Sequence, residues 1–353
     1  MPLYTEPLNN VESLWAWNES MVDLKLVGKE LKGNIRRTGT METLVCHDMA
    51  GGYLPEECLN GCILKDSAKP YIMMHWWYMD IFTYFSHNFV TIPPTGWINQ
   101  AHNHDVIILG TFITEWKGGR KLCEQFLSTE ETMQRTVKQL VRIAKFHHFD
   151  GWLINIENKI EDKYLPTFRT FLLLLTSTMR SEIGSNSRII WYDAVTVHGK
   201  LNWQNELNEK NNEWFNITDG IFLNYSWKLE QLSKTRQLAG ERNHQVYVGI
   251  DCFGRGCYVA IFAPGWVIEQ FPPSSHLLNS IRFWERLAGL VYPHKIRSLP
   301  IQTNFSIGFN ITDSNDRFYN LSAAQLQPFY FESNIMPGNM QPCIVAPSAG
   351  DYK

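Results

Sequence analysis

The feature that most restricts the fold of this chain is a succession of eight short, apolar, β-rich runs. They are Leu44–His47, Ile81–Tyr84, Val106–Leu109, Trp152–Ile156, Ile189–Tyr192, Ile221–Asn224, Val246–Ile250 and Val259–Phe262. Each is apolar almost throughout instead of alternating with polar residues. That pattern belongs to parallel strands covered on both faces. Helical signals fill several of the gaps. Ser128-Thr129-Glu130-Glu131 has capping-box form and leads into Met133, Val137, Leu140, Val141 and Ala144 at helical spacing. Pro166 opens a helix over Thr167–Ile183 that Gly184 closes, Leu229–Ala239 is closed by Gly240, and Phe283–Leu290 is a further helix candidate. Strand and helix alternating in this way predict an α/β fold, the (β/α)8 TIM barrel.

Two places depart from that pattern. Only Cys252 to Cys257 lie between Asp251, where the seventh run gives out, and Tyr258, near which the eighth begins, whereas a parallel crossover takes about a dozen or more residues. The alternatives are an antiparallel hairpin or a barrel lacking one outer helix. The second is expected, because a hairpin would reverse the last strand. From residue 298 onward the sequence is rich in Asn, Ser, Pro and Gly, with β-like residues only over Ile301–Phe309. The expected domains are therefore a catalytic barrel over 1–297 and a truncated β-rich C-terminal segment over 298–353.

Composition excludes several functions. With 32 Lys+Arg against 35 Asp+Glu, the net charge of −3 offers no electrostatic case for nucleic acid or for an acidic membrane surface. No stretch approaches the roughly 18 apolar residues of a membrane span. The first residues, Met1 to Pro7, carry neither the basic nor the apolar region of a signal peptide, so a cytosolic location is expected. The sequons at Asn18, Asn216, Asn224 and Asn304 then read as chance matches, and the seven cysteines as free thiols. No metal site and no cofactor are expected. Cys58 and Cys62 have no second pair near them, and His102-Asn103-His104, read as a polar loop before the third strand, has no third ligand. The 13 Trp, 14 Tyr and 20 Phe suit either stacking on a ligand or a bulky core.

In such a barrel the chemistry sits at the C-terminal strand ends. Those ends carry Asp48, Ser86, Glu115, Asn155 with Glu157, Asp193, Asn224 and Asp251. Asn155 and Glu157 are two apart on one strand and so project to the same side. A buried Glu157 would act as a general acid/base, but Asn155 cannot be a carboxylate nucleophile. An amide can instead hold the 2-acetamido group of a sugar whose own carbonyl oxygen attacks the anomeric carbon. A two-carboxylate glycosidase pairing Glu157 with Asp193 or Asp251 is the competing chemistry. Satisfaction of polar groups at a strand end is the plain structural reading.

Several segments resemble the cytosolic endo-β-N-acetylglucosaminidases of glycoside hydrolase family 85. They are Cys46–Tyr53, Asp80–His87, Val90–Trp97, Leu109–Trp116, Asp150–Asn158, Trp191-Tyr192-Asp193 and Phe262–Trp266, and the likeness spans about residues 40 to 330. The resemblance implies a barrel that hydrolyses the β-1,4 bond between the two GlcNAc residues of the N-glycan core, with retention through an oxazolinium intermediate. Its substrates would be N-linked glycans, glycopeptides and free oligosaccharides. By the same likeness Glu157 would be the acid/base, Asn155 would orient the acetamido group, and Tyr192 would donate a hydrogen bond at the reacting centre. Asp193 and Asn224 would touch substrate, and Trp97, Trp116, Trp203, Tyr225, Trp227 and Trp266 would line the glycan cleft. Family members have a helix where this chain has Arg255-Gly256, and a longer β-rich C-terminal region. A non-catalytic glycan binder or an inactive isoform is therefore the alternative.

Overall fold

The computed structural model describes residues 5–31, 42–48, 50–54, 73, 76–251, 260–272, 275–287 and 291. Among the described residues nine strands make one sheet: β1 (Leu44–Asp48), β2 (Ile81–Phe85), β3 (Val90–Thr91), β4 (Ile107–Glu115), β5 (Gly151–Glu157), β6 (Arg188–Tyr192), β7 (Gly220–Leu223), β8 (Val246–Asp251) and β9 (Ala260–Phe262). All but β3 pair in parallel, and the pairings β2–β4 and β1–β9 close them into an eight-stranded ring. The (β/α)8 barrel expected from the sequence is the fold.

Each of the eight apolar runs overlaps a barrel strand. The short β3 was not foreseen. It lies antiparallel on the outer half of β4, with Val90 opposite Phe112 and Thr91 opposite Thr111. A run of two residues gives no periodicity to read. The hairpin alternative for the last two strands is excluded. Gly249, Ile250 and Asp251 pair with Ala260, Ile261 and Phe262 in parallel. The eight residues between them, 252–259, lie outside the described residues, as does the expected C-terminal segment 298–353.

Around the ring run α1 (Val11–Ala16), α2 (Thr95–Asn103), α3 (Trp116–Phe126), α4 (Glu130–His147), α5 (Leu165–Ile183), α6 (Asn212–Ile217), α7 (Leu229–Ala239), α8 (Trp266–Gln270) and α9 (His276–Leu287). The boundaries follow the sequence signals with small shifts. Thr129, not Ser128, caps α4: its hydroxyl accepts from the Thr132 amide while the Thr132 hydroxyl accepts from the Thr129 amide. Pro166 sits in the first turn of α5, and Gly184, at φ 105°, ends it. The last helix begins at His276, earlier than the periodicity over Phe283–Leu290 suggested.

Strand residues alternate between two cores, as a barrel requires. Leu44, Cys46, Ile81, Ile107, Leu109, Leu153, Ile190, Phe222 and Tyr247 fill the interior. Val45, Phe82, Ile108, Trp152, Ile154, Ile156, Trp191 and Ile221 face the helices. The lower rim is stitched by aspartates that precede strands. Asp80, Asp150 and Asp219 accept the amides of Thr43 (2.8 Å), Ile108 (2.8 Å) and Ile189 (2.9 Å) on the neighbouring strand or just before it. Asp150 also takes a hydrogen bond from His102 at 2.9 Å. His102 and His104 are therefore not a polar loop. They end α2, where His104 stacks on Trp76 (ring centroids 5.2 Å apart).

The outer cover is uneven. On β5 the outward residues Trp152, Ile154 and Ile156 are fully buried, whereas Val246 and Val248 on β8 are only half-buried.

Candidate active site

The acid and its amide come from β5. Leu153, Asn155 and Glu157 alternate inward, and the register with β4 sets Glu157 beside Glu115 and Asn155 beside Ile113. Asn155 is buried, at 4% exposure, and its Nδ2 donates to Glu157 Oε1 at 3.2 Å. Its Oδ1 is buried and has no hydrogen-bond partner among the described residues. Leaving a buried acceptor unpaired costs about 1–3 kcal/mol, so one at the mouth of a barrel marks a place prepared for a donor. Burial raises the pKa of Glu157 above the ordinary carboxyl range. The Asn155 hydrogen bond opposes that shift, the nearby Glu115 charge adds to it, and His87 pulls the other way. A shift in that direction favours the acid form, which is the form a proton donor needs.

Two neighbours escaped the sequence reading. Glu115 was legible as a strand end but not as part of the site, and His87 ends a recognised motif without a role. The His87 Nδ1 lies 3.2 and 3.1 Å from the two Glu115 carboxylate oxygens.

Tyr192 lies on the next strand, on the inner face. Its hydroxyl donates to Asn224 Oδ1 at 2.9 Å, and Asn224 Nδ2 donates to Asn205 Oδ1 at 2.7 Å. The phenol's proton is thus committed to Asn224, not to Asn155 or Glu157. Burial first, and then the charge of Glu157, push its pKa well above the usual phenol value. Asn205, at φ 58°, also accepts the Ser226 amide, so it ties the loop after β6 to the loop after β7. Nothing in its local sequence announces that bridge.

Two expected substrate contacts are corrected. Trp97 opens α2 with its ring fully buried between barrel and helix layers. It stacks on Phe82 at 5.2 Å and meets His47 edge-on at 5.1 Å, so it offers no face to a sugar. Asp193 is also buried, and its oxygens accept from the Asn205 amide (2.7 Å), the Gln204 amide (3.1 Å) and Asn211 Nδ2 (3.0 Å). It organises a loop, and burial raises its pKa to about 6 despite those bonds. Asp193→Ala strands three donors in a dry site. We expect a loss of about 2–4 kcal/mol, read as a fall in the urea unfolding midpoint. The Asp251 side chain lies outside the described residues.

The remaining aromatic residues stand in segments that follow barrel strands. Trp203 and Tyr225 pack on the interior core, and Tyr225 meets Phe262 at 5.7 Å. Trp227 is half-buried and donates its indole N–H to the Gly249 carbonyl at 2.9 Å. Trp266, in α8, lies edge-on to Phe271 at 5.8 Å. Trp116 follows Glu115 directly and is 66% exposed, with a left-handed backbone at φ 53°. Such a conformation is unfavourable for a bulky residue and is found disproportionately at functional sites.

The sequence profile of glycosyl hydrolase family 85 matches residues 56–312. The chain belongs to that family. The cytosolic endo-beta-N-acetylglucosaminidase of Gallus gallus is 41% identical over 366 residues, covering 93% of this chain and 49% of that protein. The Homo sapiens protein of the same name is 38% identical, covering 93% and 48%. Cytosolic endo-beta-N-acetylglucosaminidase 1 of Arabidopsis thaliana is 40% identical, covering 81% and 46%. The chain therefore spans about half the length of the curated relatives it matches. Among solved structures, the glycoside hydrolase domain of Endo-D from Streptococcus pneumoniae R6 superposes with a TM-score of 0.62 at 17% identity, covering 79% of this chain and 50% of that one. That likeness concerns the barrel fold. Among the described residues, no helix is long and apolar enough to cross a membrane.

Proposed function

We propose that this family 85 barrel is an endo-β-N-acetylglucosaminidase that hydrolyses the bond between the two GlcNAc residues of the N-glycan core by substrate assistance. The observation that carries the reading is the buried Asn155 Oδ1, without a partner among the described residues, beside a carboxyl whose pKa burial raises. An acetamido N–H is a donor that fits this acceptor. When Asn155 accepts that N–H, the acetamido carbonyl oxygen is aimed at the anomeric carbon. Glu157 gives its proton to the glycosidic oxygen as the C1–O bond breaks and the carbonyl oxygen closes on C1. The products of that step are an oxazolinium ion and a chain ending in one GlcNAc. Glu157, now a carboxylate, takes a proton from water as the water oxygen attacks C1 and reopens the ring, so the final C1–O bond lies on the face the leaving group occupied and two inversions give retention. The names of the relatives support an endo-β-N-acetylglucosaminidase activity, and the word cytosolic in them supports a cytosolic site of action.

Trp116 is proposed as an aromatic platform for the apolar face of a sugar ring, with Trp203, Tyr225, Trp227 and Trp266 lining the rest of the cleft. Tyr192 and Asn224 act as a coupled pair whose hydrogen bond holds the floor of the site.

The test is digestion of a glycopeptide labelled on the peptide. The expected product retains one GlcNAc. Binding without any product after long incubation would favour the second reading, a non-catalytic glycan binder. The half-covered Val246 and Val248 are the observation behind that reading.

A further inference from the structure

One feature of the mouth has no part in the substrate-assisted scheme, which uses a single carboxyl. Glu115 ends β4 in register with Glu157, so two acidic residues stand side by side on adjacent parallel strands. Repulsion between two carboxylates so placed would leave an unpaired second acid costly. Here the second acid is engaged by His87, whose Nδ1 is 3.1 Å from the nearer carboxylate oxygen. The two are unequal in solvent access: the Glu115 side chain is 21% exposed and the His87 side chain 61%.

We propose that Glu115, in register beside Glu157, and His87, hydrogen-bonded to Glu115, form a positioning pair that governs how firmly Glu157 holds its proton. This rests on the proposed activity and assigns both residues no contact with the sugar. The groups around Glu157 agree in sign. Glu115, from β4, raises its pKa and His87, from the segment after β2, lowers it. Tyr192, from β6, is neutral, since burial and the charge of Glu157 keep its phenol protonated. Asp48, at the end of β1, acts on His87, whose pKa is raised mainly by the Glu115 hydrogen bond and further by Asp48 and Glu157. Those neighbours favour the protonated form of His87.

The sign of each effect gives opposed predictions. Glu157 must be protonated to act as acid, so its titration sets the alkaline limb of kcat/KM. Glu115→Gln removes a negative neighbour, and the limb should move to lower pH, by roughly half a unit to one unit. His87→Asn removes a positive neighbour, and the limb should move to higher pH by a comparable amount. Glu115→Gln/His87→Asn should fall between the two. A merely structural pair would depress kcat at all pH values without displacing the limb.

The experiment is the pH profile of hydrolysis of the labelled glycopeptide for the whole chain and the three variants, together with the carboxyl titration of Glu157 followed by carbon NMR. Opposite shifts in both measurements support the pair. An unmoved limb, or shifts in the same direction, overturns it. Should the parent release no product, the endoglycosidase reading fails, and the NMR titration alone still decides whether Glu115 and His87 bias the proton on Glu157. A variant that no longer unfolds cooperatively is replaced by Glu115→Asp, which keeps the charge and should restore the parent's limb.

Discussion

Replacing Asn155 by alanine should lower hydrolysis of natural glycans by about 10²–10⁴-fold while leaving turnover of a pre-formed sugar oxazoline largely intact. The reason lies in which step the amide serves. Asn155 accepts no proton and attacks nothing. In the proposed mechanism its Oδ1, without a partner among the described residues, fixes the acetamido group so that the carbonyl oxygen is aligned with the anomeric carbon. An oxazoline has that bond already made, so the alanine variant has less left to do. Glu157→Gln should behave differently. It removes the proton donor to the leaving oxygen and the base for water, and hydrolysis of glycan and of oxazoline should both fall below detection. Steady-state rates of the two variants on the two substrates make a four-cell test. Parent-like glycan hydrolysis by Asn155→Ala would refute substrate assistance.

The second large effect concerns folding. A Cβ placed on Gly151 would lie 1.8 Å from the carbonyl oxygen of Arg188. That oxygen belongs to the neighbouring strand, in register with Gly151. Neither backbone can yield without breaking the ladder between β5 and β6, and real side chains do not occupy such a distance. Gly151→Ala should therefore cost upward of about 3 kcal/mol, beyond the usual range for a surface substitution. The purified variant should show a broad melt by circular dichroism, or accumulate as aggregate. A sharp transition at the parent's temperature would mean that the two strands are not held this closely. The same glycine starts the strand that carries Asn155 and ends at Glu157, so the tight crossing at the bottom of the barrel helps to set the height of those two residues at the top.

Most of the barrel was legible because its strands are covered on both faces, and continuous runs such as Trp152–Ile156 leave little choice about burial. The Asn155–Glu157 pair was legible because a period of two needs no tertiary knowledge. What failed depended on partners far along the chain. Trp97 has the look of a mouth aromatic in Pro93-Pro94-Thr95-Gly96-Trp97, yet it begins a helix, and its ring is drawn under that helix by Phe82 and His47. Asp193 follows a barrel strand like any catalytic aspartate, but the backbone of Gln204 and Asn205 claims its oxygens. The His87–Glu115 contact joins residues 28 positions apart, and only closure of β2 against β4 brings them together. For Tyr192, the inward placement was readable while the direction of its proton was not, because Asn224 competes for it.

The lopsided jacketing of the ring has a mechanical corollary. β5, which anchors the acid and the amide, is sealed under Trp152, Ile154 and Ile156, whereas the valines of β8 sit in a thinner wall. Transient breathing should therefore begin on the arc around β8, so that thermal fluctuations loosen the aromatic side of the groove, near Tyr225 and Trp227, before they disturb the proton-handling side. Under the proposed function, glycan entry and exit would use the softer flank without the chemistry losing its alignment.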